Sequence, residues 1–237
     1  MIEELEQRAF LLHARPYREH QQLVTFITEN DGKVAAVVYV GKTNRSNKKA
    51  LLQPLIPLNI ILQGQGGLKK LKQIESTGKS LPLKGNFLYS AFYLNELLVR
   101  LLAEQISCEF LFYQYQKSLQ ALFEQQSLEH TLRAFEWALL EELGLSFDFS
   151  PALDAKPHTC FYFMPEHGFI PVIEKLYQPT YQAQHLLAIA NQKLISSDVL
   201  HCYKILMRQV INHLLGNKPL HSRKLFIKRN IQKTKNI

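Results

Sequence analysis

Along the first 75 positions, apolar residues come in short bursts separated by turn formers. Phe10 to His13 is the first burst and runs toward Pro16, a strand breaker. Leu23 to Thr28 leads into Asn30-Asp31-Gly32, and Val34 to Val40 follows. Two β-rich runs about an Asp-Gly turn predict a hairpin. Leu55 to Leu62, carrying Pro57, makes a fourth run that ends at Gly64-Gln65-Gly66-Gly67. The fifth, Leu68 to Ile74, reads two ways, because its apolar spacing of three suits a helix as well as a strand. Five short strands in about 70 residues fit a small closed barrel such as an OB-fold, with an open sheet as the alternative.

From residue 87 the period lengthens to that of helices. Leu88, Phe92, Leu98 and Leu102 mark one helix, Phe110 to Phe123 a second with a thick aromatic face. Leu132, Phe135, Leu139 and Leu143 mark a third, ended by Gly144 just past its last turn. After a loop with Pro151 and Pro157, Thr159 to Met164 and Phe169 to Ile173 flank Glu166-His167-Gly168 and predict a hairpin. Helices over about 182–194 and 198–215 follow, the second stopped by Gly216. The tail from Lys228 is basic and polar and is expected to fray. The expected fold is α+β with two domains. A five-stranded OB-fold β-barrel occupies residues 1–80, and a mainly α-helical domain with a small β-hairpin (about 159–173) and a basic tail occupies 81–237. Gly78, Pro82 and Gly85 mark the boundary between them.

Charge sharpens this picture. The 237 residues hold 28 Lys and Arg against 20 Asp and Glu, a net of +8, in an otherwise ordinary composition of 46% hydrophobic and 20% charged residues. Residues 1–78 carry 11 basic and 7 acidic side chains (+4), residues 79–145 carry 5 and 8 (−3), and residues 146–237 carry 12 and 5 (+7). Such a balance implies a polyanionic partner, which would meet the ends of the chain rather than its middle. No run is long and apolar enough for a membrane span, and Glu3, Glu4 and Glu6 do not suit a secretory signal. The three separated cysteines, Cys108, Cys160 and Cys202, read as small buried residues in a reducing compartment, so a cytoplasmic address is expected.

Several chemistries lack their signatures. There is no Cys-x2-Cys pair, and His158 with Cys160 is the nearest approach to a metal-ligand pair. Gly78-Lys79-Ser80 has Gln73 where a phosphate loop requires glycine, and Gly64-Gln65-Gly66-Gly67 lacks dinucleotide-fingerprint spacing. No histidine has a serine or cysteine partner in a recognisable local motif. The expectation is a protein without metal, cofactor or small-molecule substrate, and not an enzyme.

The basic stretches carry the positive signal. Gly41 to Lys49 holds Lys42, Arg45, Lys48 and Lys49 among Thr, Ser and Asn, with no acid. Such a loop can lay cations along a phosphate backbone, or simply be solvated. Lys69, Lys70 and Lys72 extend the same face or keep an edge strand soluble. Lys218, Arg223, Lys224, Lys228 and Arg229 form a second cluster, in which Gly216 to Pro219 breaks the helix and Ser222 can cap the next turn. Arg15 joins these candidates. Phe10, Tyr17 and Tyr39 are barrel aromatics that can stack on bases, although core packing is the plainer role for each. Arg133 borders apolar surface beside Phe135 and Trp137. It either holds a carboxylate next to a hydrophobic groove, pairs with Glu129, or stacks on Trp137.

Six segments, in order, resemble the RecO family of bacterial recombination mediators. They are Arg8-Ala9-Phe10-Leu11-Leu12-His13-Ala14-Arg15-Pro16-Tyr17, Gln53-Pro54-Leu55-Ile56-Pro57-Leu58, Ser90-Ala91-Phe92-Tyr93-Leu94-Asn95-Glu96-Leu97-Leu98, Leu132-Arg133-Ala134-Phe135-Glu136, Glu142-Leu143-Gly144, and Leu215 through Phe226. The resemblance implies an OB-fold followed by a helical domain, acting in repair by homologous recombination. It implies binding to single- and double-stranded DNA, annealing of complementary strands, and cooperation with RecR in loading RecA onto DNA coated by single-strand-binding protein (SSB). It further implies that the helical domain holds the acidic, phenylalanine-ended SSB tail, with Arg133 and Trp137 in the corresponding segment. The chain departs from the family in two ways. It lacks the four-cysteine zinc module of some relatives, and its loop after Val40 is less arginine-rich. Two other readings of the residues stay open, a single-stranded RNA-binding OB protein and a nuclease or strand transferase with a dispersed site.

Overall fold

The structure is a computed structural model and describes residues 6–41, 47–64, 66–174, 177–193 and 196–226. Five strands close a barrel in the order β1 (Glu6–Pro16), β2 (Gln21–Thr28), β3 (Gly32–Tyr39), β5 (Leu68–Ser76), β4 (Pro57–Gln63), with β4 pairing back onto β1. Every pairing is antiparallel except β3 with β5, where Ala35 to Val37 run alongside Leu68 to Lys70. This is the closed OB-fold barrel expected, and the open sheet is excluded. Pro57 opens its strand, a position where the missing N–H costs no ladder bond. At the Asp-Gly turn, Gly32 has φ +66° and a Cβ there would lie 1.8 Å from the Ile106 carbonyl oxygen, so only glycine fits.

Two β-bulges explain positions that break the two-residue alternation. The register of β5 against β4 skips Lys72, so Leu71 and Ile74, three apart, both point into the barrel. That is the helix-like spacing of the fifth run, produced here by a bulged strand. In β1 the register skips Leu12, so Leu11 enters the barrel core while Leu12 turns out toward a helix.

The segment between β3 and β4, expected as an open loop, contains a short helix, α1 (Asn47–Leu51). Lys48, Lys49, Ala50 and Leu51 are good helix formers, and Leu51 and Leu52 anchor the turn on the barrel core. Two longer helices follow, α2 (Gly85–Leu101) and α3 (Glu109–Phe123). They cover the outer side of β1. Phe10 packs against Phe112 and Tyr115, and Asn95 accepts from the Tyr115 hydroxyl at 2.6 Å while reaching the Leu12 carbonyl at 3.5 Å. Arg8 forks onto Glu29 at 2.7 and 2.8 Å, and Tyr113 joins the pair, holding the Glu29 carboxyl down at about 2.

Packing therefore groups the chain differently from a cut at residue 80. One compact unit comprises residues 1–128 with 220–237, and the other residues 129–219. The second contains α4 (Leu128–Glu142) but for its first residue, α5 (Ser150–Leu153), strands β6 (Cys160–Met164), β7 (Gly168–Pro171) and β8 (Tyr181–Gln182), α6 (Ala183–Ala190) and α7 (Ser197–Leu214). The expected hairpin is β6–β7, and β8 adds a third strand. Gly144, at φ +70°, ends α4 with the Leu145 amide bonded to the Leu140 carbonyl, as its sequence position predicts. The core of this unit is aromatic, with Trp137, Phe147, Phe149, Phe163, Phe169, Tyr181 and Tyr203 in mutual contact.

Candidate nucleic-acid interface

Four of the lysines singled out in the sequence surround one cleft of about 780 Å³ on the outside of the barrel: Lys48, Lys69, Lys70 and Lys72. Val37 and Tyr39, from the outward set of β3, form its apolar part with Leu68. None of the described residues lining it is acidic. The period of two puts Lys70 and Lys72 on one side of β5, and the parallel register brings Lys70 beside Val37. The Lys48 ammonium donates to the Lys72 carbonyl at 3.2 Å, so α1 satisfies backbone freed by the bulge, and Lys69 donates to the Gly64 carbonyl at 2.7 Å. A concave wall of cations over low-dielectric protein focuses positive potential outward.

The other candidates fall elsewhere. Lys49 is exposed on α1, and Arg15 is exposed near the end of β1; neither lines the cleft. Lys42 and Arg45 lie outside the described residues, as does the tail from Lys228. Arg223 and Lys224 sit in a helical turn over 221–226 that belongs to the barrel's unit, whereas Lys218 lies in the other. Lys33, counted among the N-terminal cations, is buried and donates to the Val99 carbonyl near the end of α2 at 2.9 Å. Burial pushes its pKa down against an opposing pull from Glu104. Phe10 is core, but Tyr17 and Tyr39 are exposed, so the plainer reading fails for both. Arg18 lies 5.2 Å over the Tyr17 ring.

Ser222 does not cap its own turn. Glu96 of α2 accepts from the His221 amide at 2.8 Å, the Ser222 amide at 2.8 Å and the Ser222 hydroxyl at 2.7 Å, acting as a cap supplied by another element. Burial alone would raise the Glu96 pKa; these three donors with Arg100 outweigh it and hold the carboxyl below its ordinary range. A glutamate within an apolar helix face was the signal available in the sequence, but its partner lies 126 residues away.

Arg133 pairs with neither residue proposed from local spacing. Glu129 binds Lys204 at 3.1 Å, and Trp137 stacks on Phe149 while its indole N–H donates to Glu141. Arg133 instead meets Glu136 at 2.6 Å, with side chains 7% and 1% exposed. Among the described residues its Nε has no hydrogen-bond partner.

Among the described residues no helix is long and apolar enough to cross a membrane, and no group of three potential metal ligands is found. Comparison with known proteins finds the family model described as Recombination protein O N terminal over residues 1–79, and Recombination protein O C terminal over residues 84–153. The DNA repair protein RecO of Pseudoalteromonas atlantica is 40% identical over 221 residues, covering 92% of each chain. The DNA repair proteins RecO of Yersinia pestis and Yersinia pseudotuberculosis are each 38% identical over 228 residues, covering 93% of each chain.

Proposed function

Because this chain belongs to the RecO family of DNA repair proteins, we propose that it is a recombination mediator that binds single- and double-stranded DNA and anneals complementary strands without nucleotide hydrolysis. The observation carrying this reading is the cleft of Lys48, Lys69, Lys70 and Lys72, free of acidic lining among the described residues. Each ammonium that neutralises a phosphate releases a condensed counterion, and strands so neutralised repel one another less and can pair. The site lies on the outer face of an OB barrel, where that fold commonly engages oligonucleotides. Lys49, exposed on α1, Arg15, Lys218, Arg223 and Lys224 offer further phosphate contacts, and Lys42 and Arg45, which lie outside the described residues, join them on charge alone. The barrel of residues 1–80 is the principal DNA module on this reading, and residues 81–237 carry the protein contacts besides the cluster of Lys218, Arg223 and Lys224.

Those contacts are RecR, with which the protein loads RecA, and the acidic tail of SSB. For the tail, Arg133 meets a carboxylate once the peptide opens the buried Arg133–Glu136 pair, and Trp137, only partly buried, takes an apolar side chain. A protein acting on chromosomal DNA in this way works in the cytoplasm, at the nucleoid. It is not an enzyme. Annealing of two dye-labelled complementary strands, followed by energy transfer without nucleotide, tests the main reading. The native chain is expected to accelerate pairing and the Lys69→Gln/Lys70→Gln/Lys72→Gln variant to lose most of that acceleration. Equal acceleration by both removes the cleft from the function.

A further inference from the structure

We infer that the lysine cleft is built for an unpaired strand, with Tyr39 and Leu68 as the surface on which a base is laid; this rests on the cleft being the DNA site. The lysines alone do not favour any form of DNA, since duplex and single strand both present phosphates. What distinguishes the cleft is its apolar part. Tyr39 is 58% exposed and Leu68 47%, and both line the cleft beside Val37. The alternation of β3 turns Val34, Ala36 and Val38 into the barrel core, so Tyr39 is directed outward by register and not by a lack of room inside.

The three aromatics named from the sequence, Phe10, Tyr17 and Tyr39, differ in what their rings meet. Phe10 is buried against Phe112 and Tyr115, which is a packing role. Tyr17 carries the Arg18 guanidinium over its ring. Tyr39 meets the His20 ring edge-on at 6.4 Å and 75°, a contact held in place by the Val40 amide donating to the His20 carbonyl at 2.9 Å. The Tyr39 ring thus touches His20 on one side while more than half of the residue remains accessible, lining a cleft that also holds four lysines.

Cations around an exposed ring and an exposed leucine form a composite surface. In a duplex, base faces are stacked inside and only the backbone and groove edges are available, so duplex binding would leave Tyr39 and Leu68 wet. An unpaired strand can place its phosphates on Lys48, Lys69, Lys70 and Lys72 and bury a base face on Tyr39 and Leu68. Stacking of a base on an aromatic side chain tolerates any sequence, because every base has a π-face. The cleft therefore selects the form of the nucleic acid, and not its sequence.

The test compares the native chain with Tyr39→Ala, Tyr39→Phe and Lys69→Gln/Lys70→Gln. Three probes are used: an oligothymidylate of about 10 nucleotides, a duplex of the same length, and an abasic strand of the same length. Tyr39→Ala is expected to weaken binding of the oligothymidylate about tenfold, equivalent to about 1.4 kcal/mol, and to leave the duplex and abasic strand unchanged. Tyr39→Phe keeps the ring and is expected to stay within about twofold of native. The double lysine variant weakens all three probes. If Tyr39→Ala binds oligothymidylate like the native chain while the lysine variant loses it, the cleft stands and the base platform is overturned. If Tyr39→Ala weakens all three probes equally, the selectivity is likewise overturned. If neither variant changes any affinity, the DNA site itself lies elsewhere.

Discussion

Replacing Glu96 should release the C-terminal helical turn from the barrel's unit without unfolding the barrel. The Glu96 side chain, 14% exposed, is the acceptor for the first two amides of the 221–226 turn and for the Ser222 hydroxyl. Hydrogen bonds to a charged group are worth roughly 1.5–3 kcal/mol each, but three sharing one carboxylate are not additive. Leu220, 1% exposed, and Phe226, whose ring meets Tyr89 at 5.5 Å, still anchor the segment after the carboxylate is gone. We therefore expect Glu96→Ala to weaken docking by about 2–3 kcal/mol, or roughly 30- to 150-fold in the opening equilibrium. Glu96→Gln keeps one acceptor oxygen and turns an NH₂ toward the other donors, so most of the loss should persist. Amide hydrogen exchange reads this directly, because the His221 and Ser222 amides are themselves the donors. Their protection should fall by that factor while the amides of β1 to β3 keep theirs. The pH dependence has a definite sign. The Glu96 carboxyl titrates below its ordinary value near 4.5 in the folded chain, so its contribution is present above that pH and is lost as pH falls through the depressed value. Unchanged protection at His221 and Ser222 in Glu96→Ala would refute the trans-cap.

Gly32→Ala forces a left-handed φ and a Cβ 1.8 Å from the Ile106 carbonyl oxygen, and should cost about 2–4 kcal/mol in denaturant unfolding; a loss under about 1 kcal/mol would show that the Ile106 loop yields easily. Arg133→Ala removes the cation paired with the buried Glu136 carboxylate and should cost about 3–5 kcal/mol, whereas Arg133→Met with Glu136→Met should be much milder; equal costs would mean that the lost charge pairing is not the source of the loss. Burial pushes the Cys202 thiol up to about 12, and Cys108 is also buried, so an aromatic disulfide reagent at pH 8 should modify Cys160 alone until the chain unfolds. Rapid native-state labelling of Cys202 would contradict that.

The strands were legible where apolar residues alternate and a turn former follows, as at Val34 to Val40 after Asp31-Gly32, since one barrel face sets that period. The fifth run was ambiguous because a bulge at Lys72 shifts the inward residues from a spacing of two to three, and a bulge leaves no local signature. The grouping of α2 and α3 with the barrel was hidden in β1. Its run Ala9 to Leu12 is buried throughout because residues not facing the barrel interior are covered by helices. In the site, the lysines could be named from charge and strand position alone. Lys33 shows the limit of counting charge, since nothing local distinguishes a lysine that reaches a helix carbonyl from one that reaches solvent. Arg133 shows the same limit for ion pairs. The spacings of four to Glu129 and to Trp137 were available, but the packing of α4 selected Glu136 at three.

The most direct test is the salt dependence of single-stranded oligonucleotide binding, measured for the native chain and for Lys48→Gln/Lys69→Gln/Lys70→Gln/Lys72→Gln. Each neutralised phosphate on a single strand contributes about −0.7 to the slope of log affinity against log salt, so the four lysines account for about −2.8. The cleft predicts a native slope at least that steep and a variant slope shallower by about that amount. Two parallel lines, or a flat native response, would contradict it.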